Sequence, residues 1–325
     1  MLNILKGGLQ TTVQDLGRTG FQKYGVIASG AMDPFAHRLA NLLVGNDEQA
    51  ATLEITLVGP VIEFTEDALI ALCGADLSPQ LNNETIQIWR TLAVSKGSTL
   101  TFGEPRIGVR CYLAIAGGID VPLVMDSRST YLRAGIGGFQ GRALEKGDRL
   151  PIDEITPQQN AFQQRSESEF DWLLAPARYF EKPVIRMMPG RQFDLFDDDS
   201  KKRIFSEPFA VSSNSDRIGY RLEGTKLFLE TPVELISEAV AFGSIQVPAD
   251  GNPIVLMADR QTTGGYPKIG QVAAVDLPLI SQLKQGQLLC FKPISVADAQ
   301  QRWIEQEQSI RQLKAAIQLK WEEWI

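Results

Sequence analysis

The chain has 325 residues and a mass of 35.9 kDa, enough for one large domain or two ordinary ones with full hydrophobic cores. Hydrophobic residues make up 44% and charged residues 22%, a globular balance that excludes collagenous, coiled-coil and disordered chains. The net charge of −7 argues against a nucleic-acid partner, and the one histidine, His37, leaves two-histidine zinc sites and Ser-His-Asp triads short of imidazoles.

From the amino terminus, Met1 to Gly8 lacks a basic start followed by a long apolar run, and nothing later approaches the ~18 apolar residues of a membrane span. A cytoplasmic protein is expected, with no membrane partner. Leu2-Asn3-Ile4-Leu5-Lys6 alternates apolar positions into a glycine turn. Asp33 is placed to cap a helix that has Pro34 at its first position and Leu39, Leu42 and Leu43 on one face, and His37 on that helix reads as a structural histidine. Short strands follow at Ala68–Cys73, Thr85–Trp89, Thr99–Phe102 and Val109–Ala114, and a hairpin turn is expected at Leu81-Asn82-Asn83-Glu84. Gly135-Ile136-Gly137-Gly138-Phe139-Gln140-Gly141 lacks the spacing and following helix of a dinucleotide fingerprint, and no Walker loop occurs, so it reads as a conformational turn. A polar stretch, 156–168, reads as a surface linker, ending in the aromatic Phe170-Asp171-Trp172-Leu173-Leu174.

The second half repeats the first. Ile185-Arg186-Met187-Met188-Pro189-Gly190 echoes the opening strand, each with a glutamine shortly after, Gln10 and Gln192. Leu256-Met257-Ala258-Asp259-Arg260-Gln261-Thr262-Thr263 echoes Val124-Met125-Asp126-Ser127-Arg128-Ser129-Thr130. Strands are expected at Pro208–Ser212, Pro232–Ile236 and Pro253–Met257. Ser295 then caps a terminal helix whose stripe is Trp303, Ile304, Ile310, Leu313, Ile317, Trp321 and Trp324. This gives a first β domain at 1–150, a linker at 151–183, a second β domain at 184–295 and an amphipathic helix at 296–325. Cys73, Cys111 and Cys290, unpaired and in apolar stretches, are expected to be core thiols in a reducing compartment.

Two loops concentrate polar chemistry. Ser212 to Leu222 carries Asn214, Arg217, Tyr220 and Arg221, and Asp259 to Lys268 carries an acid, two bases, two hydroxyls and a phenol fixed by glycines and a proline. Guanidinium forks and amides of this kind suit carboxylates, phosphates and amide ligands. Asn214, Arg217, Tyr220, Arg221, Asp259 and Lys268 are the expected catalytic residues. Thr262, Thr263 and Tyr266 are expected at the substrate, as are Arg128, Arg18 and Asp33, each of which could equally serve as a cap or surface residue.

Several long motifs carry a resemblance: Thr12-Val13-Gln14-Asp15-Leu16-Gly17-Arg18, Ser29-Gly30-Ala31-Met32-Asp33, Asn41 to Asn46, Leu53-Glu54-Ile55-Thr56, Ser213 to Leu222, and Gln261 to Lys268. Together they resemble the KipA family, also described as allophanate hydrolase subunit 2 or the C subunit of ATP-dependent 5-oxoprolinase. The likeness runs from about Leu2 to about Ile294. It implies a mainly β fold of tandem cyclophilin-like β-barrels with few helices and a C-terminal helix. It implies a KipI-like partner, a LamB/YcsF-like partner and a small-molecule amide substrate, 5-oxo-L-proline, opened to L-glutamate with ATP. The chain is expected to be inactive alone, to bind no metal, and to see ATP either in an unfamiliar way or mainly on a partner subunit. Two alternatives follow from the same resemblance: a carboxyltransferase component of a urea- or allophanate-type biotin-dependent carboxylase, and a regulatory antagonist of a KipI-like histidine-kinase inhibitor.

Overall fold

The computed structural model describes residues 1–163, 174 and 184–322. Two compact units are present: residues 1–18, 29–180 and 308–325 form the first, and residues 19–28 and 181–307 the second.

In the first unit the strands are β1 (Leu2–Lys6), β2 (Gln10–Gln14), β3 (Thr52–Thr56), β4 (Val61–Phe64), β5 (Ala68–Asp76), β6 (Pro79–Leu81), β7 (Glu84–Thr85), β8 (Thr91–Val94), β9 (Thr99–Phe102), β10 (Ile107–Ile115) and β11 (Arg149–Leu150). They form two sheets, β11-β1-β4-β9-β6-β7 and β2-β3-β10-β5-β8. The near-continuous apolar run of β5 reflects burial on both faces. Its alternation divides the side chains: Ala68, Ile70 and Leu72 enter the core between the sheets, while Leu69, Ala71 and Cys73 enter a second core under helix α1 (Pro34–Leu43). Asp33 caps α1 by accepting from the Ala36 N–H at 3.0 Å, as its position before Pro34 predicts.

The hairpin turn is present between β6 and β7, with Asn82 at φ 52° and Asn83 at φ 69°. The strand expected over Thr85–Trp89 stops at Thr85, because Trp89 turns left-handed (φ 64°) to bury its indole in the α1 core. Within the expected linker, 151–183, lies α2 (Pro157–Gln163), capped by Thr156, and its Gln159 is buried with the side-chain amide donating to Val44 O and Asn46 Oδ1, both at 2.9 Å. The remaining linker residues and the aromatic tail Phe170–Leu173 lie outside the described residues; Leu174 packs at the edge of the α1 core.

The second unit contains β12 (Val184–Pro189), α3 (Asp198–Ser206), β13 (Phe209–Val211), β14 (Gly219–Glu223), β15 (Glu238–Ala239), β16 (Ser244–Gln246), β17 (Ile254–Leu256), β18 (Thr263–Gly264), β19 (Lys268–Val272), α4 (Leu277–Ser281) and β20 (Leu288–Pro293). A closed barrel runs β12-β19-β16-β17-β14-β13-β20, with β12 and β20 parallel, and a separate ribbon pairs β15 with β18. At Gly270 a β-carbon would lie 2.2 Å from Met187 Sδ, so the absence of a side chain there gives Met187 its place in the barrel core. Cys290 is exposed, contrary to the core expectation: in β20 the inward positions are Leu289 and Phe291, and period two turns Cys290 outward. Cys73 and Cys111 are buried, and burial raises both thiols.

The terminal helix α5 (Val296–Glu322) starts with the Ser295 hydroxyl accepting from the Asp298 N–H at 3.0 Å. Ile310, Ile317 and Trp321 are buried in the α1 core, so this end of the stripe is covered within its own unit. Trp303 and Ile304, placed on the same stripe, are 45% and 48% exposed, and Trp324 lies outside the described residues. Gly45 follows α1 at φ +73°, and a β-carbon there would lie 2.7 Å from the Trp321 ring. Gly45→Ala is expected to lower stability by about 1–3 kcal/mol, read as a lower denaturant midpoint at unchanged m-value.

Candidate functional site

The second polar loop returns toward the barrel through β18 and enters β19 at Lys268, a buried residue whose ammonium bonds Glu238 Oε1. Glu238 opens β15, and its pairing with Gly264 across the β15–β18 ribbon brings it to this point. Two further donors converge on the same carboxylate, Gln192 Nε2 at 2.6 Å and Arg191 Nη1 at 3.0 Å. The hydrogen bonds from Lys268 and Gln192 lower the Glu238 carboxyl from its ordinary value. Beside this cluster in sequence, Gly265, Tyr266 and Pro267 line a cavity of about 520 Å³ whose other walls include Phe196, Leu227, Val233 and Val247. Tyr266 is 53% exposed at this cavity. The cavity wall is mostly apolar with one carboxylate, Glu234, and the chain runs from it through Pro267 directly into the Lys268–Glu238 pair, a combination that suits a small-molecule site.

Arg217 and Asp259 meet in a two-point ion pair, with Nε–Oδ2 at 2.9 Å and Nη2–Oδ1 at 3.0 Å, both side chains about 6% exposed. Their backbones meet too, the Asp259 N–H donating to Arg217 O at 2.8 Å. This pair fastens the two polar loops to each other. Tyr220 and Arg221 occupy successive positions of β14 and therefore face opposite ways: Tyr220 is buried and donates to Ser281 O at 3.3 Å, whereas Arg221 is exposed, with its charge acting on Asp250. Asn214 is exposed in the preceding loop. Thr262 is half-buried and Thr263 exposed on β18. Thus Tyr266 lines the cavity, Lys268 joins Glu238, Arg217 and Asp259 form a separate pair, and Arg221 faces away from Tyr220.

The first-unit candidates are held structurally. Arg18 is fully buried, donating through Nε to Val124 O at 2.9 Å and also to Ser129 O. Arg128 donates to Val121 O at 2.9 Å and lies 3.6 Å from Asp153, and Asp33 caps α1. Asp15 organises the same loop by accepting from Ser127 Oγ at 2.7 Å and the Gly17 N–H at 2.8 Å. Nearby in the fold, Glu54 accepts from Tyr112 Oη at 2.7 Å and the Met32 N–H at 2.9 Å.

Glu238, Arg191, Asp15 and Glu54 were not among the expected site residues. Glu54, a charge inside the apolar Leu53-Glu54-Ile55, and Gln192, repeated from Gln10, had readable signals; Glu238 had none, because its partner comes from a distant strand.

His37 is fully buried, its Nδ1 2.9 Å from Thr52 Oγ1, and burial lowers its pKa to about 4. Unfolding frees it to bind a proton near its ordinary value of about 6.5, so stability declines as pH falls from there toward the folded value. Between pH ~6.5 and ~5 the loss is expected to be about 1.5 kcal/mol and to disappear in His37→Gln, measured by urea denaturation across that window.

The glycine cluster does not fit a phosphate cradle. A β-carbon at Gly137 would lie 2.1 Å from Ser129 O and one at Gly141 2.0 Å from Gly135 O, while the Gly135, Gly138 and Gly141 N–H groups donate to backbone carbonyls. The glycines and these three N–H groups are used within the loop's own fold. Among the described residues no group of His, Cys, Asp and Glu is arranged to hold a metal ion, and no helix is long and apolar enough to cross a membrane.

Comparison with known proteins places these features in a family. The carboxyltransferase domain, subdomains A and B, matches residues 24–293. The chain is 42% identical to the C subunit of 5-oxoprolinase from Escherichia coli over 94% of its length and 97% of that protein. It is 38% identical to the corresponding 5-oxoprolinase protein of Haemophilus influenzae, over 92% and 93% of the two chains. The crystal structure of Kluyveromyces lactis urea carboxylase superposes with a TM-score of 0.86 at 32% identity, covering 95% of this chain and 29% of that one.

Proposed function

The chain belongs to the family of carboxyltransferase domains, subdomains A and B, and from that premise we propose that it is the C subunit of an ATP-dependent 5-oxoprolinase. It would contribute to opening 5-oxo-L-proline to L-glutamate together with KipI-like and LamB/YcsF-like subunits. The observation that carries this reading is the end-to-end match to the Escherichia coli protein, which accounts for 97% of that protein and leaves almost none of it unmatched. The chemistry agrees. A lactam carbonyl is held by amide resonance, so opening the ring needs stabilisation of a developing oxyanion and an oriented water, which a fixed ammonium and backbone N–H groups supply without histidine. In this proposal Lys268 supplies the positive charge beside the substrate cavity, Glu238 sets its position, and ATP is bound mainly by one of the companion proteins.

The test is a coupled assay for glutamate and ADP, run on this chain alone and then with both companion subunits. Turnover is expected in the full mixture and none from the chain alone. Absence of glutamate from the full mixture overturns the reading. The urea carboxylase likeness supports a second reading, a carboxyltransferase component, and transfer of a carboxyl group from a carboxylated biotin carrier to an amide would favour it over ring opening.

A further inference from the structure

We infer that the segment Pro232–Ser237 of the second unit, where the expected strand does not form within the chain, is a docking edge that pairs with a strand of another protein of the complex, one carrying alternate apolar and basic side chains. The inference rests on the chain's working inside a multi-subunit enzyme. Pro232–Ile236 has strand-forming composition, with Val233, Leu235 and Ile236 in a row of five, yet among the described residues none of its backbone N–H or C=O groups is hydrogen bonded. A segment of strand-forming composition with an open row of backbone donors and acceptors is a template for another strand, and that need identifies the occupant as polypeptide. The segment also forms one wall of the 520 Å³ cavity, while Ile236 is 92% exposed and Val233 47%. An added strand would cover both side chains and could seat an apolar residue in the cavity.

Charge selects the kind of strand. Residues 230–238 contain Glu230, Glu234 and Glu238 and no base; Glu238 is engaged by Lys268, but Glu230 and Glu234 are exposed and have no ion-pair partner among the described residues. Pairing two copies of this segment would bring like charges together across the ladder, which is destabilising, so a second copy of this chain is disfavoured and a basic partner strand favoured. Because the segment leads directly into Glu238, docking would fix the approach of the carboxylate that positions Lys268.

Hydrogen exchange on the full chain, free and mixed with the two companion subunits, tests this. The amides of Val233–Ser237 are expected to exchange freely in the isolated chain and to slow at least ten-fold in the complex. Ile236→Asp, at a position that packs against little in the isolated chain, is expected to weaken association at least ten-fold without moving the thermal midpoint, and Glu234→Lys to weaken it by an amount that shrinks at high salt. A complex that forms with these amides still exchanging freely overturns the docking edge and leaves the 5-oxoprolinase reading standing. Failure of the wild-type chain to form any complex overturns both. Protection that appears on concentrating the chain alone replaces the heterologous partner with a second copy and overturns the proposal.

Discussion

Lys268→Ala is expected to lower glutamate formation by the reconstituted enzyme more than ten-fold, the largest effect on activity among the substitutions considered. The ammonium is buried at the start of β19 and held on Glu238, so its position is fixed before substrate arrives, and a preorganised cation loses little to reorganisation as charge develops on a carbonyl oxygen. Alanine leaves Glu238 with Gln192 and Arg191 as donors, so the β15–β18 ribbon retains its anchoring and the loss should fall on turnover rather than on folding. Lys268→Arg should recover part of the rate, and Glu238→Gln should reduce turnover less than Lys268→Ala, since it loosens the ammonium without removing it. Steady-state kinetics on the assembled enzyme read all three. Near-normal kcat and KM in Lys268→Ala would move the site elsewhere.

The largest effect on stability is expected at Asp259. Asp259→Ala should cost about 3–5 kcal/mol, because it strips a buried guanidinium of the carboxylate that makes two hydrogen bonds to it. Replacing both partners at once, Arg217→Met with Asp259→Leu, should restore most of that loss, as apolar side chains of similar bulk avoid the desolvation of a buried guanidinium that has lost its carboxylate. Urea denaturation of the two single variants and the double variant forms a cycle that separates the pair's coupling from packing. A cost under about 1 kcal/mol for the single change would mean that the pair is solvent-screened, as surface ion pairs are.

Much of the fold was legible because it is written between neighbours in sequence. The Asp33 cap with Pro34, the Asn82-Asn83 hairpin, the Ser295 cap of the terminal helix and most of the short strands all depend on residues within a few positions of one another. The structural role of His37 was legible for the same reason. What the tertiary structure decided is which of these side chains meet. Arg217 finds Asp259 across 42 residues and Lys268 finds Glu238 across 30, the second only because the β15–β18 ribbon places the acid beside the base. Strand register then separates Arg221 from Tyr220 and turns Cys290 outward, since a period of two sends adjacent side chains to opposite faces whatever chemistry they carry. Composition and motif identify the chemical groups available to the molecule; long-range pairing fixes their partners, because hydrogen bonds and ion pairs depend on distances that no local spacing specifies.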